Sequence, residues 1–383
     1  MSEGNMTASA TNDLPHSIGG LPDLEIDRSS GGRSVRRQIL KAYTVQRLVG
    51  YGMDLGDASL LRSLVEAGAD WREASMAVAD RAHALVQFPV SALSSATTRQ
   101  SLRRASAALR ISQVLDESDT DLRRELYCRA TDLFEMSIED DERYSRVWVP
   151  HRLGDLAGWL VRPEKPGDSC TVVIFGGLEG WADACHGPAQ ALIERGVAVL
   201  ILDGPGQGIT RMVSRHYLGE EFVGVYEAAI SYVLENQRNP MPIGIWGNSE
   251  GGTIAMHVAA KDSRISACCN NGGGPTLRKR LAQDPSAFRK MKAMCGTDDE
   301  DCWRIVDSLE LDPAQLSIPC PVLIVHGNKD VKVEDDDMLR LVDRIESPTK
   351  RFLMFEDGHH CIHNHQAQLH ALVADWFAEE LSR

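Results

Sequence analysis

The sequence lacks several features that would each indicate a particular class of protein. None of its nine cysteines stands in a Cys-x-x-Cys pair. Because zinc ribbons and disulfide-rich secreted domains depend on paired cysteines, we expect reduced thiols and a cytoplasmic protein. No apolar run approaches the roughly 20 residues that span a bilayer. The first 20 residues also lack the basic start and the apolar stretch of a secretory signal, so we expect no membrane association.

Positive charge is scarce as well. The chain has 41 Lys and Arg against 55 Asp and Glu, which gives a formal net charge of −14. A nucleic-acid-binding protein needs a basic surface that displaces counterions, so the composition argues against that function. Hydrophobic residues make up 43% of the 383 residues and charged residues 25%. These proportions are ordinary for globular proteins, and the length predicts more than one domain.

The chain divides into three stretches of different texture. Residues 1–35 are rich in Ser, Gly, Asn and Asp, which predicts a disordered arm. Residues 36–143 show helical periodicity, for example at Leu122, Leu126 and Leu133, and contain little proline. We therefore predict a helical domain there, followed by a catalytic domain over residues 144–383.

Short apolar segments alternate with helical ones from Tyr144 onward. Several of these segments are almost continuously apolar, as expected for strands that are buried on both faces. Strand–helix alternation of this kind predicts a doubly wound, mostly parallel α/β sheet, with an antiparallel pair at its start. The eight predicted strands are Arg146–Pro150, Ala157–Arg162, Thr171–Phe175, Val197–Asp203, Pro242–Trp246, Ile265–Asn270, Pro321–His326 and Lys350–Phe355.

The clearest chemical motif is Gly247-Asn-Ser-Glu-Gly251, between a predicted strand and a predicted helix. Gly-x-Ser-x-Gly in this context is typical of a nucleophile elbow. Its glycines leave room for a sharp turn that exposes the serine, and the following helix N-terminus favours developing negative charge. The motif makes Ser249 the candidate nucleophile.

A serine nucleophile needs a base and an acid that orients the base. Asp330 follows the strand that ends at His326, and His360 follows the last strand, which is the chain order typical of α/β-hydrolases. We favour His360 over His359 as the base. We interpret the acids Glu334, Asp335, Asp336 and Asp337 as the start of a helix. The histidine run to His365 could also suggest a metal site, but it lacks a clear set of acids or thiolates, so we predict no metal.

The oxyanion of an acyl-transfer reaction needs backbone N–H donors. We predict one donor in Glu250, the residue after the nucleophile, and one in Leu178, in the glycine-rich loop after the third strand. Glu179 in the same loop either contacts substrate or is a solvated loop acid. The turn Asp203-Gly-Pro-Gly-Gln-Gly208 contains neither Gly-Lys-Ser/Thr nor Gly-x-Gly-x-x-Gly, the patterns of phosphate-binding loops. We therefore interpret it as a structural turn and predict no cofactor. The segment between Pro275 and Pro319 is of the kind that lies over the site in this fold.

These motifs resemble those of the α/β-hydrolases related to 2,6-dihydroxypseudooxynicotine hydrolase, which carry an N-terminal helical cap. The resemblance implies an α/β-hydrolase fold, a Ser249–Asp330–His360 triad and a homodimer. It also implies hydrolysis of a carbon–carbon bond next to a carbonyl, in a small aryl-ketone, β-diketone or polyketide-like substrate. The matching pieces are Gly176–Glu179, Asp203–Gly208, Gly247–Gly252, His326–Asp330 and Gly358–Cys361 with Asn364.

Two alternatives remain open. The same triad could cleave an ester, a thioester or a lactone of a small acyl substrate, because specificity depends on the cap and the pocket. A hydrolase fold can also be reused as a binder without catalysis. Such proteins usually lose a triad member, whereas all three candidates are present here.

Overall fold

The computed structural model describes residues 20–86, 93–164, 169–178 and 180–383. Six helices precede the first strand in these ranges. Each begins after a serine, threonine or aspartate whose side chain accepts a backbone N–H of the first turn, which satisfies a donor that the helix leaves unpaired. The helices are α1 Ser30–Ala42, α2 Val45–Gly50, α3 Leu55–Ala67, α4 Trp71–Ala84, α5 Ser95–Ser112 and α6 Asp121–Met136.

Helix α1 begins inside the stretch predicted as a disordered arm. The Ser29 side chain accepts the Gly32 N–H, and Asp27 in turn accepts the Ser29 N–H at 2.8 Å. These polar residues, which in composition resemble a tail, therefore build a helix start. Residues 1–19 of the predicted arm lie outside the described residues.

The predicted eight-stranded, mostly parallel sheet is confirmed. Its strand order is β1-β2-β4-β3-β5-β6-β7-β8. The pairs β1–β2 and β2–β4 are antiparallel, and every other neighbouring pair is parallel. The strands are β1 Tyr144–Val149, β2 Leu156–Val161, β3 Thr171–Phe175, β4 Ala198–Leu202, β5 Ile243–Asn248, β6 Ile265–Asn271, β7 Val322–Gly327 and β8 Lys350–Phe355.

Helices cover both faces of the sheet. The helices that follow β3 are α7 His186–Ile193, α8 Gly208–Met212, α9 Phe222–Glu235, α10 Glu250–Lys261, α11 Leu277–Gln283, α12 Pro285–Cys295, α13 Asp299–Ser308, α14 Asp335–Arg344 and α15 Gln366–Glu380. Successive residues of β3 point to opposite faces, as a strand requires. Val172 packs with α7 and α15 on one face, and Val173 packs with α9 and α10 on the other.

The helices before the sheet contact it at several places. Asp183, which is buried, accepts hydrogen bonds from the Thr131 hydroxyl of α6 at 2.8 Å and from the Trp159 indole N–H of β2 at 2.9 Å. Tyr51, just after α2, contacts the rings of Trp181 and His363 edge to face. These contacts tie α2 and α6 to loops at the carboxyl edge of the sheet.

Within the described ranges, no helix combines the length and the apolar character that crossing a membrane requires.

We expect Asp183→Ala to lower the free energy of unfolding by about 3 kcal/mol, because it leaves two buried donors without an acceptor. Chemical denaturation followed by circular dichroism measures this loss. Asp375→Ala is the matched control, since Asp375 makes an exposed ion pair with Arg195. Such pairs contribute less than about 1 kcal/mol. Equal losses in the two variants would contradict the bridging role of Asp183.

Candidate active site

Ser249 lies at a strained turn between β5 and α10. Its φ of 54° and ψ of −128° place a non-glycine residue at positive φ, which is rare and costs energy. Neighbouring glycines make the turn possible. A Cβ atom on Gly247 would lie 1.9 Å from the carbonyl oxygen of Gly251, and a Cβ on Gly251 would lie 2.4 Å from that of Gly176. The turn therefore excludes side chains at both glycines of the motif.

The structure brings the three predicted residues Ser249, His360 and Asp330 into one hydrogen-bonded line. Ser249 Oγ lies 2.7 Å from His360 Nε2, and His360 Nδ1 lies 2.7 Å from Asp330 Oδ2. The other oxygen of Asp330 accepts the backbone N–H groups of Lys332 and Val333, which fixes the carboxylate. The three side chains follow β5, β7 and β8, so the carboxyl edge of the parallel sheet assembles the line.

The neighbouring acids and histidine have other contacts. Asp335 begins α14 and lies 2.8 Å from His326 Nε2. The backbone N–H of His359 donates to Asn364 Oδ1 at 2.8 Å. This hydrogen bond holds the bend that precedes His360.

Opposing effects set the charge state of the line. Burial disfavours the charged ring of His360, but Cys361 and Asp330 favour it more strongly and raise the pKa of His360 to about 10. Burial also disfavours the Asp330 carboxylate, but the charge and hydrogen bond of His360 lower the pKa of Asp330 below its ordinary value. The ring of His360 therefore holds its proton more tightly than a free imidazole does. The Ser249 hydroxyl donates its own hydrogen bond to an acceptor other than His360.

That acceptor is the side chain of Glu250. Its Oε2 lies 2.5 Å from Ser249 Oγ and accepts the Leu178 N–H at 3.2 Å. Its other oxygen, Oε1, forms an ion pair with Arg280 of α11. Sequence reasoning selected Glu250 for its backbone N–H alone and did not select Arg280. Arg280 stands in an Arg-Lys-Arg run that looks like a solvated helix face, so no local signal marked it.

The loop after β3 approaches Ser249 and Glu250 through its glycines. A Cβ atom on Gly177 would lie 2.8 Å from the backbone nitrogen of Glu250. Gln207 of the turn after β4 donates to the carbonyl oxygens of Gly176 and Gly177 at 2.7 and 2.8 Å. This turn therefore holds the loop beside the site. Glu179, which sequence analysis considered a possible substrate contact, lies outside the described residues.

The histidines after His360 have protein partners. The ring of His363 packs against Tyr51, and its Nδ1 lies 3.2 Å from Gln366 Nε2. Burial lowers the pKa of His363 well below its ordinary value. His365 Nε2 lies 2.9 Å from Asp357. In the part of the chain that the structure describes, no group of three or more His, Cys, Asp or Glu side chains could hold a metal ion.

A cavity of about 400 Å³ opens beside Ser249. Ser249, Glu250 and Asp330 form part of its lining, with Arg280 and its neighbours on α11 along one wall and residues 331–334 along another. Part of the segment between Pro275 and Pro319 thus borders the site, as the sequence suggested. Met291 and Met294 of this segment are buried in the core rather than in the cavity lining.

Comparison with known proteins identifies related chains. The model of the prolyl oligopeptidase family matches residues 186–383. The chain is 30% identical over 231 residues to 2,6-dihydropseudooxynicotine hydrolase of Paenarthrobacter nicotinovorans, covering 57% of this chain and 60% of the relative. It is also 30% identical over 240 residues to the alpha/beta hydrolase ucsC of an Acremonium species, covering 55% and 48%. This chain therefore spans about half to three fifths of these curated relatives.

Solved structures show the same fold. The crystal structure of 2,6-dihydroxy-pseudo-oxynicotine hydrolase superimposes with a TM-score of 0.76 over 88% of this chain and 96% of that one, at 23% identity. The AbyA5 structure superimposes with a TM-score of 0.67 over 85% and 94%, at 15% identity. The predicted α/β-hydrolase fold and the predicted relationship to 2,6-dihydroxypseudooxynicotine hydrolase are thereby confirmed.

We expect the His360 ring to be protonated at pH 8 and to titrate only near pH 10. Nuclear magnetic resonance of histidine-labelled protein measures this, with the His360→Gln variant assigning the signal. Asp330→Asn removes a negative charge beside the ring and should lower the pKa of His360. The matched control is Asp357→Asn, which acts on His365 instead. A His360 pKa near 6.5 that does not respond to Asp330→Asn would contradict this electrostatic description.

Proposed function

From the premise that the chain belongs to the prolyl oligopeptidase family, we propose that it is a serine hydrolase of small molecules that cleaves a carbon–carbon bond next to a carbonyl. The observation that supports the nucleophile is the hydrogen-bonded line Ser249–His360–Asp330, with 2.7 Å at each step. This is the arrangement by which a base activates a serine and an acid orients the base.

The size of the site supports a small substrate. The cavity of about 400 Å³ falls within the roughly 300–1,000 Å³ of small-molecule pockets. The family model covers residues 186–383, which contain Ser249, Asp330 and His360, so family membership supports hydrolase chemistry at these residues. The choice of bond follows from the resemblance to the 2,6-dihydroxypseudooxynicotine hydrolases. We therefore propose an aryl-ketone, β-diketone or polyketide-like substrate.

The proposed reaction proceeds through an acyl-enzyme. Neutral His360 takes the proton of Ser249 while Oγ bonds to the carbonyl carbon. The resulting oxyanion accepts the N–H groups of Leu178 and Glu250. The carbon–carbon bond then breaks, its electron pair passes to the leaving enolate, and His360 returns the proton to the enolate carbon. Water, activated by His360, cleaves the acyl ester and restores Ser249.

Two conditions must be met before Ser249 can attack in this scheme. The Glu250 carboxylate must move away from the Leu178 N–H, because it occupies the donor that the oxyanion needs. The His360 ring must also lose its proton to act as a base. Departure of the Glu250 charge favours that loss, since a nearby negative charge stabilises the imidazolium. Substrate binding and activation of the base are coupled in this way.

We expect Ser249→Ala to reduce turnover of aryl 1,3-diketones at least about 10⁴-fold and to abolish labelling by a fluorophosphonate probe. The measurements are absorbance of the diketone and the intact mass of the labelled protein. Ser382→Ala is the matched control, because its hydroxyl bonds the Glu379 carbonyl far along the chain from the site.

The outcomes separate the alternatives. Cleavage of p-nitrophenyl esters or thioesters without cleavage of diketones would replace the proposed bond by an ester-type bond. Absence of both labelling and turnover in the wild type would favour a non-catalytic binder. The predicted homodimer remains a prediction.

A further inference from the structure

The Glu250 carboxylate is a bound anion that the chain itself supplies to the site. It contacts the nucleophile Ser249, the Leu178 N–H and the Arg280 guanidinium at once. Only 5% of the Glu250 side chain and 19% of the Arg280 side chain are exposed. One carboxylate thus bridges the space between the attacking oxygen and a largely buried cation.

The short span of this bridge has a chemical meaning. The two carboxylate oxygens share one carbon, so Arg280 and Ser249 are separated by the width of a single carboxylate. When one carbonyl carbon of a substrate lies at Ser249, a second oxygen of the same substrate can contact Arg280. This requires the second oxygen to lie only a few bonds from the reacting carbon. The enolate oxygen of a 1,3-dicarbonyl compound meets this condition.

The other cations of the cavity wall are already matched by acids at a distance from the nucleophile. Lys279 pairs with Glu334 at 2.9 Å, and Lys332 pairs with Asp284 at 3.0 Å. Among the described lining residues, Arg280 is the cation that contacts a group touching Ser249. Its planar fork of donors suits two oxygens of one anion, which a lysine does not match.

We propose that Arg280, in exchange for the Glu250 carboxylate, binds the second carbonyl oxygen of a neutral 1,3-dicarbonyl substrate, which becomes the enolate oxygen of the leaving group. This inference rests on the proposed function and names the residue that makes a carbon leaving group possible. When the carbon–carbon bond breaks, its electron pair is delocalised onto that oxygen, and Arg280 neutralises the charge. Stabilisation of charge that develops in the transition state accelerates the reaction. His360 then protonates the enolate carbon, and Arg280 returns to Glu250.

Binding without turnover tests the proposal directly. In the Ser249→Ala background, the enolate of 1-phenylbutane-1,3-dione is a probe for the enolate leaving group. We expect it to bind, and it absorbs at a longer wavelength than the neutral diketone. Adding Arg280→Met should weaken enolate binding at least about tenfold at the same fixed pH. Arg278→Met is the matched control from the same helix, because Arg278 pairs with Asp307 outside the cavity, and it should change binding less than about twofold.

A change at Glu250 distinguishes exchange from a purely structural ion pair. Glu250→Gln keeps the shape and the backbone N–H but removes the competing charge, so it should tighten enolate binding. A Glu250→Gln variant that weakens binding as much as Arg280→Met would overturn the proposal. The double variant Glu250→Gln/Arg280→Met, which leaves neither charge unpaired, serves if Arg280→Met alone does not fold, and it should still lose enolate binding.

Kinetics supply the second readout. With Ser249 intact, Arg280→Met should lower kcat for the diketone about 10²- to 10³-fold, and the loss for a p-nitrophenyl ester should be at least tenfold smaller. Equal losses on both substrates, or no binding of the diketone to Ser249→Ala, would overturn the role of Arg280. Failure of the proposed function has a different signature, because wild-type protein would then not cleave the diketone, whereas failure of the role of Arg280 leaves wild-type cleavage of the diketone intact.

Discussion

The left-handed backbone of Ser249 is the constraint on which the rest of the site depends. It holds the hydroxyl outside the carboxyl end of β5, and it is possible only because three backbone segments approach within contact distance of one another. Gly177, Gly247 and Gly251 leave no room for a side chain at these contacts. The same compression brings the loop after β3 against the start of α10, so one local strain sets the positions of Ser249 and both predicted oxyanion donors.

The parallel sheet brings the other side chains of the site to Ser249. Strands β3, β5, β7 and β8 end at one edge, and the loops that leave them carry Leu178, Ser249, Asp330 and His360. Residues 111 positions apart, Ser249 and His360, meet there through a hydrogen bond. The frame around them is almost wholly buried and apolar, so the polar groups at the edge have few alternative positions. Rigid strands fix the positions of these side chains, whereas loops on the surface of a fold tolerate change more readily.

Much of this could be predicted from the sequence, because the signals are local. Buried strands appear as continuous apolar runs, and β3 and β8 have the predicted bounds. The elbow, the acid and the base each stand beside such a strand, so chain order was enough to select them. The sequence did not predict the bounds of helices α11, α12 and α13 in the same way. Their charged surface residues do not form the continuous apolar runs that mark the strands. Arg280 illustrates the limit, since its role depends on where a helix of the 275–319 segment packs, and spacing along the chain carries no information about that.

Glu250 connects the edge of the sheet, where Ser249 lies, with the 275–319 segment, which carries Arg280. The elbow motif requires a residue directly after the nucleophile, and the positive end of α10 makes that position favourable for an acid. A carboxylate there is nevertheless costly, because burial among apolar neighbours penalises an unpaired charge. Arg280, supplied by α11, pairs with the carboxylate and offsets part of that penalty. Arg280 of the 275–319 segment therefore contacts the carboxylate that accepts the Leu178 N–H, so the helix that borders the cavity also bears on this donor. Changes in this segment can alter both the lining of the cavity and the partner of the Leu178 N–H, without touching Ser249, His360 or Asp330.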